Sequence, residues 1–156
     1  MKYLINVIDV IYALKKEFKT CIPKSHHYFG HITETYKNPA FLYLLVFDND
    51  VRSSYFRKDV TLDLQIIYFG TKDECGVPDF EEKMQTMDKL KTFLSTFNLW
   101  VGDRNLKFEY NFSESDKQLT INIKFKFKDE IINIEFEKDQ AMEMVDKILI
   151  NKEEVI

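Results

Sequence analysis

At 156 residues the chain has the length of one ordinary domain, long enough to bury a real core. Apolar residues at 45% and charged residues at 31% exclude a disordered chain. A net charge of −4 and a pI near 5.4 exclude an overall basic field that would draw it to nucleic acid or anionic membrane.

The elements follow in chain order. Leu4, Val7, Ile8, Ile11, Leu14 and Phe18 recur at steps of three and four, which predicts an amphipathic helix closed by Pro23. "HHYFGHI" at 26–32 reads as a short strand. "AFLYLLVF" at 40–47 reads as a strand dry on both faces, and therefore central. A polar turn, "DNDVRSS" at 48–54, leads to a strand over 55–69, and the two strands make an antiparallel hairpin. In that second strand Val60, Leu62, Leu64 and Ile66 alternate with Thr61, Asp63 and Gln65, and then Ile66–Phe69 runs apolar on both faces. Ile67 and Phe69 thus need a cover: a helix of this chain at the dry half, with a neighbouring subunit near the Arg-rich wet half, or the chain's own helix alone.

"GTKDECGVPD" is a loop. Asp79 then caps a helix, with Glu82 in the position of a capping box and Phe80, Met84, Met87, Leu90, Leu94 and Phe97 as its apolar stripe. After the loop "NLWVGDRN", Leu106, Phe108, Tyr110 and Phe112 alternate with polar residues, "SESDK" turns, and Leu119, Ile121, Ile123, Phe125 and Phe127 alternate again. "IINIEF" at 131–136 can continue the sheet, and Asp139 can open a last helix carrying Met142, Val145, Ile148 and Leu149. Strands arriving in hairpins predict an α+β class: an antiparallel sheet packed against an N-terminal and a central helix, with a possible C-terminal helix. Residues 1–156 read as one domain, and 4 Gly with 3 Pro leave little punctuation for a many-stranded sandwich.

No reaction centre can be assembled from the motifs. His26, His27 and His31 cluster in sequence, but from a strand His27 and His31 stand about 13 Å apart, too far for one metal ion without a bend at Gly30. No GxSxG occurs, and Cys75 lies in the acidic loop "KDECG", a poor setting for a thiolate nucleophile. Isolated glycines at 30, 70, 76 and 102 make neither GxGxxG nor a phosphate loop. Asp63 reads as an outward-facing acid. No catalytic, cofactor or metal residue is therefore assigned. Cys21 and Cys75 form no CxxC pair, no apolar run approaches the roughly 18 residues of a membrane span, and no signal peptide is visible, so a reducing cytoplasm is expected.

Interface candidates remain. Arginine is scarce, and its planar fork suits ion pairs at interfaces. Arg52 and Arg57, with Tyr55 and Lys58, gather at one strand entrance, where they can meet an acidic partner surface. Trp100 either plugs the core from its loop or anchors an interface, and Arg104 follows it.

The order of these features resembles a family of small phage and prophage tail-terminator (tail-completion) proteins. The resemblance is carried by the amphipathic first helix, "NPAFLYLLV", "RSSYFRKDVTLDLQIIYF", the capped helix "DFEEKMQTMDKLKTFL" and the hairpin "LKFEYNFSESDKQLTINIKFKF", followed by a terminal segment with Met142. It covers roughly residues 3–128, and the tail beyond about 130 is longer than the pattern. The resemblance implies a non-enzymatic, homo-oligomeric ring, commonly a hexamer. Such a ring caps the end of a tail tube, stops its polymerisation, and joins it to sheath or head, in a phage or in a headless bacteriocin particle. The resemblance places the protein in the host bacterial cytoplasm during assembly and then in the particle. The competing expectations are another head–tail connector or neck protein and a small-ligand module with an aromatic pocket; an enzyme comes last.

Overall fold

The computed structural model describes residues 4–130. Helix α1 (Val7–Cys21) is followed by strands β1 (His26–Phe29), β2 (Ala40–Arg52) and β3 (Arg57–Phe69). Helix α2 (Phe80–Leu94) comes next, then β4 (Leu99–Val101), β5 (Arg104–Leu106), β6 (Phe108–Ser115) and β7 (Gln118–Glu130). The expected α+β class holds: five strands form a mostly antiparallel sheet in the order β1-β2-β3-β7-β6, and β4–β5 is a separate small hairpin that spans the expected "NLWVGDRN" loop and takes Leu106 from the strand expected after it. The expected strand at 131–136 and the helix opening at Asp139 lie outside the described residues.

Both helices cover one face of the sheet. There Leu62, Leu64 and Ile66 of β3 and Leu119, Ile121, Ile123 and Phe125 of β7 pack against Val10, Leu14 and Phe18 of α1 and Leu90 and Leu94 of α2. The buried side of α1 is Val10–Leu14–Phe18–Cys21, and Ile8 is exposed, contrary to the expected stripe. The helix begins at Val7, so Leu4 does not set its phase, and at 100° per residue Ile8 stands on the far side from Val10.

One strand corrects the purely antiparallel reading. β1 runs parallel to β2, pairing His26 with Ala40 through Phe29 with Tyr43. Parallel neighbours cannot be joined by a tight hairpin. The connection, residues 30–39, instead crosses the outer face of the sheet, leaving β1 at Gly30, whose φ of +81° favours glycine.

That connection also answers the question of cover. The alternation in β3 does not stop at Ile66, because Tyr68 takes the next core position and only Ile67 and Phe69 turn outward. Tyr36 from the connection lies 5.2 Å from Phe69, ring centre to ring centre, and Lys72 stacks over Tyr36 at 5.4 Å. Ile67 is flanked in register by Leu42 and Thr120, both buried. The cover over Phe69 is thus a loop of this chain, not a helix.

At α2 the expected cap forms by half. Asp79 Oδ1 accepts the N–H groups of Glu81 (3.0 Å) and Glu82 (3.3 Å). The Glu82 carboxylate does not reach back to Asp79; it accepts a 2.6 Å hydrogen bond from the Tyr68 hydroxyl. A side chain on Gly70 would collide with that carboxylate, which accounts for glycine there. Burial, and then the Glu82 hydrogen bond, push the Tyr68 phenol well above its ordinary range. The Tyr68–Glu82 bond ties the first turn of α2 to β3, while Phe80, expected in the buried stripe, is 66% exposed.

Candidate functional site: a free sheet edge

β2 changes character halfway. Ala40–Tyr43 are buried as expected, but Leu45, Val46 and Phe47 are 55%, 59% and 49% exposed. β1 stops opposite Tyr43, so from there to Arg52 β2 is the edge of the sheet rather than a central strand. A bulge between Leu45 and Phe47 shifts the register at this point. Past the bulge Phe47, Asn49 and Val51 lie on the outer face, and Asp48, Asp50 and Arg52 on the helix side, read from their β3 partners. The expected turn at 48–54 is later and tighter: the strand runs to Arg52, and 53–56 turn.

The six residues expected at an interface separate into three groups. Arg52, Tyr55, Arg57 and Lys58 do come together at the β2–β3 turn. Arg52 closes the turn itself, donating to the Ser54 and Tyr55 carbonyls (3.2 Å each) and stacking over Tyr55 at 5.0 Å. Lys58 is held by Asp50 at 2.8 Å. Arg57 is exposed at the start of β3. Arg104 is a structural residue: it bonds the buried Asp129 (3.1 Å) and the Lys128 carbonyl, and stacks over Phe127. Trp100 does not plug the core; it is 58% exposed on β4, while Leu99 and Val101 on either side are buried. Sequence reasoning missed Leu45, Val46 and Phe47. The signal available was the shortness of "HHYF" before Gly30, which leaves most of a thirteen-residue neighbour without a partner on that side.

One polar chain inside the fold has the residue types of a nucleophile and its base. Ser25 Oγ lies 3.0 Å from His27 Nε2, and His27 Nδ1 lies 2.8 Å from the Tyr43 hydroxyl. Ser25 is fully buried and its hydroxyl donates to the Ile22 carbonyl at 2.6 Å. The proton count therefore assigns Nε2 as donor to Ser25 and Nδ1 as acceptor from Tyr43. The hydroxyl that would attack has given its proton away, and the chain serves to pin the end of α1 to β1 and β2. Burial first, and then Lys19 and Lys15, lower the His27 pKa from 6.5 to about 4.

A folded-state pKa below the unfolded one means the unfolded chain takes up the proton first. The stability held by neutral His27 is whole above about pH 6.5 and is lost as pH falls toward about 4. Allowing for partial solvent screening, the loss is about 1–2 kcal/mol. Thermal melts at about pH 7 and about pH 4.5 should therefore show a larger drop in Tm for the wild type than for His27→Gln. Equal drops would mean His27 is not the titrating group.

His26 and His31 do not join His27 at a common point, and among the described residues no group of three or more His, Cys, Asp or Glu is placed to hold a metal ion. Burial raises the Cys21 thiol pKa, and Cys75 is exposed. No described helix is long and apolar enough to cross a membrane. No family model matches the chain, and no curated protein matches it.

Proposed function

We propose that this protein is a non-enzymatic assembly protein that caps the end of a phage or phage-tail-like tube. Copies form a ring, commonly of six in the family it resembles, that ends tube polymerisation and offers a surface to sheath or head. Assembly takes place in the host bacterial cytoplasm, and the ring then stays in the particle.

The observation that carries this reading is the free edge of β2. It combines open strand backbone with Leu45, Val46, Phe47 and Val51 in solvent. Proteins protect such edges because they template pairing with other chains, and an uncovered apolar edge is fitted to burial against a protein partner. The order of elements quoted above adds the resemblance to tail terminators.

The test is capping of assembled tail tubes by purified protein, read by sedimentation with the tubes and by arrest of tube growth. The wild type should bind tube ends, and Phe47→Lys/Val51→Lys, changing exposed positions only, should stay folded and bind at least about tenfold more weakly, as when a contact of about 1.4 kcal/mol is lost. A wild type that ignores tubes overturns the reading. A double variant that caps normally removes the β2 edge from it.

A further inference from the structure

The face of α1 turned away from the core carries a second stripe. Ile8, Tyr12, Lys15, Lys16 and Lys19 recur at steps of three and four, with Ile8 and Tyr12 exposed. This stripe faces Phe29 at the end of β1. Tyr12 meets the Phe29 ring edge-on at 5.6 Å, and Lys15 Nζ stands 5.7 Å from its centre. Lys19 is fixed in place by a 2.6 Å hydrogen bond to the Ser25 carbonyl. Tyr12, Phe29, Lys15 and Lys19 line, with Lys16 and Thr20, an open groove of about 550 Å³.

Three lysines gathered around exposed aromatic rings, in a chain of net charge −4, specify an occupant that is acidic and presents an apolar side chain. The β2–β3 turn does not fit, because Arg52 and Arg57 bring charge of the same sign. The first turn of α2 and the loop before it do. Phe80 is the most exposed large apolar side chain of the described residues, and Val77 three residues before it is also exposed. Asp73, Glu74, Asp79 and Glu81 flank them in sequence, and Lys83 Nζ, itself paired with Glu114 at 3.4 Å, stands 5.7 Å from the Phe80 ring centre. Asp73 and Asp79 are engaged with backbone N–H groups, which leaves Glu74 and Glu81 as the carboxylates on offer; Glu81 has only a 3.4 Å contact from Gln85.

We propose that the first turn of α2 of one copy, Phe80 leading, seats in the α1–β1 groove of a second copy, with Glu74 and Glu81 meeting Lys15 and Lys16. The two surfaces differ, so the contact is head to tail, the geometry that closes into a ring when its rotation allows. The buried ring supplies affinity and the rim charges select the partner. The proposal rests on the ring reading and names the subunit contact within it, leaving the β2 edge for the tube.

The experiment is a charge exchange in the full chain, read by light scattering and sedimentation at low salt. Wild-type protein should associate as its concentration rises, and less so at high salt. Lys15→Glu/Lys16→Glu alone and Glu74→Lys/Glu81→Lys alone should each associate at least about tenfold more weakly, a loss of about 1.4 kcal/mol. Mixed together, the two variants should associate again. Melting curves establish that each variant is folded, and Phe80→Ser is a second variant that leaves the charges alone and should also weaken association. A wild type that stays monomeric at its highest soluble concentration overturns the proposal, as does a mixture of folded variants that fails to regain association. Tube capping is scored separately, so a wild type that caps tubes while the exchange fails would sink this contact and not the capping function.

Discussion

Phe18→Ala should lower stability by about 3–5 kcal/mol, the range for removing a fully buried aromatic ring. Phe18 is the point where α1 meets the sheet. It is fully buried, stacks on Phe41 at 5.3 Å and 17°, and lies 6.3 Å from Tyr43. Phe41 in turn lies 5.2 Å from Tyr68 and 5.6 Å from His27, so the deletion opens a cavity between α1 and β2 against a ring that itself packs on β1 and β3. The neighbours sit on a hydrogen-bonded sheet and cannot collapse into that space without breaking the ladder, which places the cost toward the upper end. Domains of this size hold only about 5–15 kcal/mol in total. Urea unfolding should show a much lower midpoint with an unchanged slope, and Phe18→Leu should recover more than half of the loss. A change below about 1 kcal/mol would mean that α1 is not docked through this ring.

Asp129→Ala should cost about 2–4 kcal/mol, because it leaves several partners of a buried carboxylate unsatisfied at once. Asp129 lies near the end of β7 with a side-chain exposure of 2%. One oxygen receives the Ile5 N–H at 3.1 Å; the other receives Arg104 at 3.1 Å and the Glu130 N–H at 2.9 Å. The carboxylate therefore ties the segment before α1, the β4–β5 hairpin and β7 together. Arg104 keeps some access to water, which holds the penalty below that of a fully enclosed pair. Asp129→Asn keeps an acceptor for one of these donors and should recover part of the loss, measured by the same unfolding curves. If alanine were tolerated within about 0.5 kcal/mol, the carboxylate would not be the tie it is drawn to be.

The two predictions mark different depths of legibility. Phe18 was readable as a core residue, because a helix period of 3.6 links it to Leu14 whatever lies across from it. Asp129 was not: next to Glu130 and after Lys124, Lys126 and Lys128 it reads as part of a solvated strand end, and only the fold brings Ile5 and Arg104 to it.

For the interface candidates the same division holds. Arg52, Tyr55, Arg57 and Lys58 were legible as a cluster because they are neighbours in sequence. That Arg52 closes its own turn and Lys58 is held by Asp50 depends on strand pairing. The free edge of β2 could not be read from "AFLYLLVF", which has one pattern whether a strand lies beside all of it or beside four residues; only the shortness of "HHYF" before Gly30 hinted at it.

What the sequence determined by itself is therefore local and periodic. It specified the two helices, the two hairpins, the alternation that gives β3 and β7 a core face, the Asp79 cap, and through them the α+β class. Periods of 3.6 and 2 and cap chemistry act within a few residues, so they need no knowledge of the rest of the chain. The tertiary structure alone decided what lies across from each element. It made β1 parallel, laid the 30–39 connection over Phe69, and set Glu82 against Tyr68 with Phe80 outward. It also left half of β2 without a neighbour. Burial depends on the far side of a contact, and no window of sequence contains both sides.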